Sequence, residues 1–168
     1  MEGLDDVKRE IKNIVEFIKK DRVRTEMMGY PSRFPRKYIF IGNPRTGRTT
    51  VARLLANILN ELGVMPEHKM IAVWSKALVG NITGQSIDKV RNAVASAVGG
   101  VLFIDDIHLL DDSDVMVQET VDELIQQLST HHDDLVCIIA GTPAEMKQLF
   151  EKHPGLQLRF DRELIFER

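Results

Sequence analysis

The stretch IFIGNPRTGRTTVARLL, residues 39–55, decides the fold of this chain. It begins with a short apolar run that ends at Gly42, which is typical of a buried strand. From Val51 onward, apolar residues recur at helical spacing and predict a helix. The polar segment GNPRTGRTT, residues 42–50, therefore joins a strand to a helix. A glycine-containing segment in that context predicts a phosphate-binding loop.

Each part of this loop has a predicted role in holding an anion. The glycines let backbone N–H groups turn inward, and the following helix presents its positive N-terminal end to the same phosphates. The Thr49 hydroxyl is placed to ligate Mg²⁺. A plain glycine turn is the simpler interpretation, but strand, helix and hydroxyl together disfavour it. The predicted nucleotide-binding residues are Gly42, Asn43, Pro44, Arg45, Thr46, Gly47, Arg48, Thr49 and Thr50.

Arg48 stands where such loops carry a lysine. A lysine ammonium is a compact point charge, whereas a guanidinium is planar, larger and forked, so the exchange changes a tight site. The positive charge is kept, and a guanidinium still binds phosphate oxygens. We expect Arg48 to displace the terminal phosphate from its in-line position, to which catalysis is sensitive. We interpret Arg45, the second cation of the loop, as a solvated charge at the loop tip.

The run VLFIDDIH, residues 101–108, has the form of an acidic strand end. Four apolar residues predict a central buried strand, and Asp105 emerges at its carboxyl end, where ligands bind in open α/β sheets. Asp105 is expected to hold Mg²⁺ through water. Asp106 is expected to polarise the attacking water, but it is one methylene shorter than the usual glutamate and falls outside hydrogen-bond range. The alternative, two surface aspartates that cap a strand, is disfavoured by the loop at residues 42–50.

The rest of the chain alternates predicted strands with predicted helices. Further strands are expected at residues 68–74, 135–141 and 163–167, and amphipathic helices fill the segments between the strands. This alternation predicts an α/β fold with a parallel sheet covered by helices on both faces. No internal boundary is visible, so residues 1–168 form one domain. It consists of an N-terminal helix and linker at residues 1–37 and a core at residues 38–168.

The composition disfavours several classes of function. The chain is 43% hydrophobic and 28% charged, as expected for a globular protein. Its net charge of −3 argues against nucleic-acid binding through a basic surface. No apolar run approaches membrane-spanning length and no signal peptide is visible, so we expect a cytoplasmic or organelle-stromal protein that is not secreted. The single cysteine, Cys137, lies in an apolar run and is interpreted as a buried, inert thiol.

Several stretches resemble one family of proteins. They are GNPRTGRTTVARLL at residues 42–55, ALVGNITGQSIDKVRNAV at 77–94, GGVLFIDDIHLL at 99–110 and AGTPAEMKQLFEKHPGLQLRF at 140–160. Together they resemble the AAA+ ATPases of the red-type Rubisco activase and stage V sporulation protein K group. The opening GLDDVKREIKNIV resembles that family's first helix. The resemblance implies the three-layer P-loop NTPase fold of the AAA+ large subdomain, with no counterpart of the helical lid up to Arg168.

The resemblance also implies a function and further site residues. The family forms ring-shaped hexamers that bind ATP between subunits and remodel protein clients through a central pore. ATP and Mg²⁺ are therefore the implied cofactors, and other AAA+ subunits and a protein client are the implied partners. Arg159 matches the arginine finger that reaches a neighbour's γ-phosphate, with a surface arginine as the alternative. Thr142 falls near the sensor region, where its hydroxyl orients a water or a phosphate, with a strand-end cap as the alternative.

Two interpretations of the function remain open. The first is an ATP-binding, Mg²⁺-dependent AAA+ ATPase, slow because of Arg48 and Asp106, in a ring that remodels a protein partner. The second is a non-catalytic AAA+ subunit with a structural or regulatory role. Its motivation, as the alternative, is that four features depart in the same direction from the family's pattern: Arg48, Asp106, the absence of the lid from these residues, and Ile82, which replaces an aromatic residue of the pore loop. A nucleic-acid-binding AAA+ protein ranks below both, since no basic face is visible.

Overall fold

The computed structural model describes residues 5–29, 34–107 and 114–166 of the chain. Its strands are β1 (Lys37–Gly42), β2 (Met70–Trp74), β3 (Val101–Asp105), β4 (Val136–Gly141) and β5 (Arg162–Phe166). Its helices are α1 (Asp5–Met28), α2 (Arg48–Glu61), α3 (Gln85–Ala97), α4 (Val115–Thr130), α5 (Pro143–Lys152) and α6 (Pro154–Gln157). A 3₁₀ helix, Ser75–Leu78, follows β2.

The predicted strands are confirmed, with small differences at their ends. The second strand begins at Met70 rather than at residue 68. The residue before it, Lys69, still accepts a hydrogen bond from the Val101 N–H at 3.1 Å, so the segment approaches the sheet without joining the ladder. The predicted last strand reached residue 167, which lies outside the described residues.

The five strands form one parallel sheet in the order β2-β3-β4-β1-β5. In a parallel sheet all carboxyl ends lie at one edge, which we call the carboxyl edge, and all amino ends lie at the opposite amino edge. The loop after β1 and the aspartates at the end of β3, Asp105 and Asp106, therefore share the carboxyl edge. They are separated only by β4, so β1 and β3 lie about 10 Å apart.

Two hydrophobic clusters, one on each face of the sheet, confirm the three-layer α/β architecture. The first unites buried residues of α1 and α2 with strand residues such as Phe103. The second unites α3, α4 and α5 with strand residues such as Leu102 and Ile104. Successive residues of β3 thus alternate between the two clusters, as the two-residue period of a strand requires. Because both faces of β3 are buried, its sequence is an almost continuous apolar run, as expected for a central strand of a parallel sheet.

The amino edge is fixed by buried polar contacts. The Asp161 carboxylate accepts the backbone N–H groups of Arg36 and Lys37 at 3.2 and 3.1 Å, which ties the start of β5 to the start of β1. The buried Lys37 ammonium donates to the Leu135 carbonyl at 2.8 Å, just before β4. Burial lowers the pKa of Lys37. These bonds set β4, β1 and β5 in register at the edge opposite the phosphate loop.

No helix in the described parts of the chain is both long and apolar enough to cross a membrane.

Candidate functional site

The predicted phosphate loop is a tight turn between β1 and α2. Gly47, the N-cap of α2, has φ of 91° and offers no side-chain cap to the helix. The first backbone N–H that donates back toward the helix start is that of Val51, to Gly47 O at 3.0 Å. The amides of the first helical turn have no intrahelical acceptor, so they remain available to an anion. The strand–loop–helix arrangement predicted from the sequence is confirmed.

The base of the loop is packed too closely for any residue but glycine. A Cβ on Gly42 would lie 2.7 Å from Phe166 Cβ and 2.9 Å from Thr46 Oγ1. The Thr46 hydroxyl donates to the Asn43 carbonyl at 2.7 Å, which closes the loop on itself. At the tip Arg45 is exposed and has φ of 68°, in agreement with its interpretation as a solvated charge.

The remaining loop residues lie at the surface of the site. Asn43 and Pro44 are exposed in the turn, and Thr49 and Thr50 are exposed on the first turn of α2. Thr49 is thus open to a ligand at the helix N-terminus, as its predicted role requires. Its part in metal binding stays a prediction.

Arg48 turns back across the loop and connects it to β3. Its Nη1 donates to the Gly42 carbonyl at 2.7 Å, and its Nη2 lies 3.5 Å from Asp105 Oδ1. The Arg48 side chain is only 11% exposed, so the guanidinium is held in the notch between the loop and the strand end. The sequence flagged Arg48 and Asp105 separately but gave no signal that the two side chains form an ion pair.

The two aspartates at the end of β3 are held in different ways. Asp105 Oδ1 accepts the Asp106 backbone N–H at 2.9 Å in addition to its contact with Arg48. Asp106 has φ of 57°, a left-handed conformation that aspartate tolerates better than most residues. Its backbone carbonyl accepts a hydrogen bond from the Ser75 hydroxyl, which follows β2. Asp106 is half-buried. Its predicted role as the base stays a prediction.

Thr142 lies at the same edge, between the loop and the aspartates, because it follows β4. It is the N-cap of α5. Its hydroxyl accepts the Glu145 N–H at 3.2 Å, and the Glu145 carboxylate accepts the Thr142 N–H at 2.9 Å. This is a capping box, whose sequence signature, Thr-x-x-Glu, was visible in residues 142–145. Of the two interpretations the geometry favours the cap, and the sensor role stays a prediction.

Arg159 lies away from this site, near the amino edge. It is exposed, and it precedes by two residues Asp161, whose carboxylate binds the start of β1. The six residues of β1 separate that edge from the phosphate loop by roughly 20 Å. Within the described ranges the Arg159 guanidinium makes no hydrogen bond or ion pair, and the adjacent Leu158 is 85% exposed. Arg159 therefore cannot reach the phosphate loop of its own chain.

The segment that resembles the family's pore loop, residues 78–86, has a base held by hydrogen bonds and an exposed tip. The Gly80 N–H donates to Ser86 Oγ at 2.7 Å, and the Gly84 N–H donates to the Glu119 carboxylate at 3.1 Å. Ser86 Oγ in turn donates to the Met116 carbonyl at 3.2 Å. Ile82 at the tip is 67% exposed. The sequence gave no sign of the bracing by Ser86 and Glu119.

A magnesium ion at this edge would depend on Asp105, Thr49 and the phosphates of a ligand. Within the described residues no group of three or more His, Cys, Asp or Glu side chains is arranged to hold a metal. Mg²⁺ is commonly held by one or two carboxylates together with phosphates and water, so Asp105 is the essential donor. Its Oδ1 already faces a guanidinium at 3.5 Å. The donor set in this geometry therefore does not fit a tightly held ion.

Residues 38–168 match the family described as "ATPase family associated with various cellular activities (AAA)". The chain belongs to the AAA family of ATPases. Both the match and the parallel five-stranded sheet confirm the fold and the family that the motifs resembled. Membership of the AAA family implies an ATP-binding core, and the loop at residues 42–50 is its expected location.

Curated AAA relatives match almost the whole chain. The protein CbxX of Cupriavidus necator is 35% identical over 98% of this chain and 53% of its own length. The chloroplastic ribulose bisphosphate carboxylase/oxygenase activase of Cyanidioschyzon merolae is 36% identical over 98% of this chain and 57% of its own length. The ESX-1 secretion system protein EccA1 of Mycobacterium tuberculosis is 37% identical over 98% of this chain and 30% of its own length. The chain thus spans about half the length of the first two relatives and less than a third of EccA1.

Proposed function

We propose that this chain is the nucleotide-binding core of an AAA ATPase that binds ATP at residues 42–50 and hydrolyses it slowly. It acts in a ring of AAA subunits that remodels a protein partner, in the cytoplasm or an organelle stroma. The observation that carries the proposal is the Arg48–Asp105 pair at the carboxyl edge. It keeps a cation at the phosphate loop, and it also occupies the carboxylate on which hydrolysis depends.

Binding of the triphosphate follows from the shape of the loop. The free amides at the start of α2 and the partial positive charge of the helix end favour phosphate oxygens. Arg48 adds a permanent positive charge and a forked set of donors that matches phosphate geometry. Only one of its contacts, the Gly42 carbonyl, is at hydrogen-bond distance, so other N–H groups of the guanidinium remain for a ligand.

Slow hydrolysis follows from the same contacts. Asp105 must release Arg48 before it can serve a metal ion, and Asp106 is shorter than the glutamate that ordinarily polarises water. The guanidinium also shifts the terminal phosphate away from the in-line position. A misplacement of about 1 Å costs on the order of a hundredfold in rate. We infer that binding is retained and that the chemical step is weakened.

The ring is supported by the location of Arg159. An exposed arginine at the amino edge has no access to its own loop, whereas a neighbouring subunit stacked head to tail could offer its loop to it. An arginine supplied in this way raises the rate of phosphoryl transfer by orders of magnitude. The activase among the relatives acts, by its name, on a carboxylase, and by analogy the client of this chain is a protein.

The alternative function is a non-catalytic ring subunit. The observation that favours it is the bond from Arg48 Nη1 to the Gly42 carbonyl, which folds the side chain into the loop itself. If the guanidinium stayed there, it would exclude the phosphates rather than bind them. The chain would then contribute Arg159 to a neighbour's site without turning over ATP.

A calorimetric ATP titration tests the proposed function. We expect the wild type to bind ATP, and we expect Gly47→Val to abolish binding because φ of 91° strongly disfavours a β-branched side chain, so the loop cannot keep this backbone conformation. Gly155→Ala is the control, because its added Cβ would meet nothing closer than 3.6 Å. A wild type that binds no ATP would contradict the proposal. Binding by the wild type with no measurable turnover, even after repair of Arg48 and Asp106, would favour the non-catalytic subunit.

A further inference from the structure

We propose that this chain binds its nucleoside triphosphate without a divalent cation, with the Arg48 guanidinium in place of the metal. The inference rests on the proposed nucleotide binding and specifies the form of the ligand, a triphosphate free of Mg²⁺. It departs from the sequence-based expectation of a Mg²⁺ site at Thr49 and Asp105. The disagreement comes from the contacts of the guanidinium.

The guanidinium lies beside Asp105, one of the two residues expected to hold the ion. One of its nitrogens reaches the Gly42 carbonyl at the base of the loop, and the other lies 3.5 Å from Asp105 at the end of β3. A group that touches both elements lies between them, beside the carboxylate that would hold a metal. A lysine ammonium has a single nitrogen and does not present two separate ones in a planar fork. Arg48 therefore contacts the two elements through two different nitrogens of one planar group.

The charges also disfavour a second cation at this point. Asp105 contributes one negative charge, which Arg48 neutralises at short range. A divalent ion bound to Asp105 would lie within a few ångströms of a guanidinium that cannot lose its proton. The ion would have to displace the guanidinium or suffer its repulsion in a partly buried notch where screening is weak. The oxygens of a triphosphate, in contrast, accept hydrogen bonds from the same guanidinium.

The fluorescence of Trp74 can be used to measure nucleotide binding in this test. Trp74 is the only tryptophan, and it is the register partner of Asp105 in the β2–β3 pair. Neighbouring strands lie about 4.8 Å apart and the indole is 58% exposed, so we expect its fluorescence to respond to a ligand bound at this edge. Titration with ATP in EDTA and in excess MgCl₂ therefore gives two affinities on the full chain without a label. Calorimetry under the same two conditions checks the values.

The wild type is expected to bind ATP with affinities that differ by less than about threefold between EDTA and MgCl₂. Arg48→Lys, which retains the charge but not the fork, is expected to bind at least about tenfold more tightly in MgCl₂ than in EDTA. Arg53→Lys makes the same exchange on an exposed position of α2 and is expected to behave as the wild type. A thermal melt of each variant confirms that it is folded.

A second variant removes the partner instead of the cation. Asp105→Asn frees the guanidinium and is expected to bind ATP in EDTA at least as tightly as the wild type. Loss of binding for Asp105→Asn in both buffers would overturn the inference. Wild-type binding that is tenfold or more tighter in MgCl₂ would also overturn it, while the proposed nucleotide binding would stand. Absence of wild-type binding in both buffers would overturn the proposed function together with the inference.

Discussion

Arg48 and Asp105 form an ion pair, with Nη2 3.5 Å from Oδ1, across the notch between the phosphate loop and the end of β3. The two residues come from separate motifs, one ordinarily bound to phosphate and the other to metal. Through this contact, the replacement of the usual lysine by Arg48 also affects the carboxylate expected to hold the metal. A cation remains at the loop, and the carboxylate opposite it is neutralised.

The close packing at Gly42 gives a stability prediction. Gly42→Ala places a Cβ within 3 Å of both Phe166 and Thr46, so we expect the free energy of unfolding to fall by about 1–3 kcal/mol. Urea unfolding followed by circular dichroism measures the change. Gly155→Ala is the matched control and is expected to change stability by less than about 0.5 kcal/mol. Equal effects of the two substitutions would contradict the described packing of the loop against β5.

The capping box at the start of α5 gives a second prediction. Thr142→Ala removes the acceptor of the Glu145 N–H, and we expect a loss of about 1 kcal/mol in the free energy of unfolding. Thr142→Ser keeps the oxygen and is expected to remain close to the wild type. Thermal and urea unfolding of the three proteins provide the comparison. If alanine and serine are equally stable, the hydroxyl does not act as the cap.

The cap at Thr142 could be predicted from the sequence, whereas the Arg48–Asp105 contact could not. The Thr-x-x-Glu pattern predicts a capping box from local spacing alone, just as the apolar run before Gly42 predicts β1. The Arg48–Asp105 contact is different, because the two residues are 57 positions apart in the sequence. They meet because the strand order places β3 two strands from β1 and because the guanidinium folds back over the loop. Strand order and side-chain direction are tertiary properties. The local spacing of apolar and polar residues does not predict them.

The position of Arg159 also could not be predicted from local sequence patterns. The motif HPGLQLRF marked the residue as a finger by resemblance, but its distance from the loop follows only from the bonds of Asp161 to the start of β1. Those bonds place it at the amino edge. Because of this distance, a role of Arg159 as an arginine finger requires the phosphate loop of another chain.

Mixing experiments test whether Arg159 acts between subunits. Arg159→Ala keeps the loop but loses the finger, and Arg48→Ala keeps the finger but loses the loop cation. Each alone is expected to hydrolyse ATP far more slowly than the wild type. In an equal mixture of head-to-tail rings, intact pairs of loop and finger form at about a quarter of the interfaces. We expect a recovery of that order, measured with labelled ATP.

An intramolecular role for Arg159 predicts a different outcome. Because each chain of the mixture then carries one defect, the mixed sample would show only the average of the two variants. Arg53→Lys mixed with Arg159→Ala is the control, since Arg53 lies on α2 outside the loop. That mixture reports the dilution of intact fingers without any loop defect.

The buried thiol of Cys137 gives a pH prediction. Burial raises the pKa of Cys137 from 9.0 to about 12, so the folded chain keeps a proton that the unfolded chain releases. Between pH 9 and about 12 the folded state binds more protons, and its stability falls as the pH rises. The slope reaches about 1.4 kcal/mol per pH unit for one proton. Well below pH 9 both states keep the proton, so this thiol adds no pH dependence there.

Cys137→Ala isolates that contribution. Urea unfolding at pH 8 and at pH 10 is expected to show a larger loss of stability for the wild type than for the variant. Burial also raises the pKa of Tyr38 and lowers that of Lys37, and both groups remain in the variant. Identical pH slopes for the two proteins would show that Cys137 titrates normally and is not buried as described.

We expect Arg48, through its contact with Asp105, and the short Asp106 to weaken hydrolysis but not binding. Single-turnover ATP hydrolysis is measured for the wild type and for Arg48→Lys/Asp106→Glu with saturating MgCl₂. We expect the double variant to cleave bound ATP at least about a hundredfold faster, with Arg53→Lys unchanged. A wild-type rate equal to that of the double variant would contradict the claim.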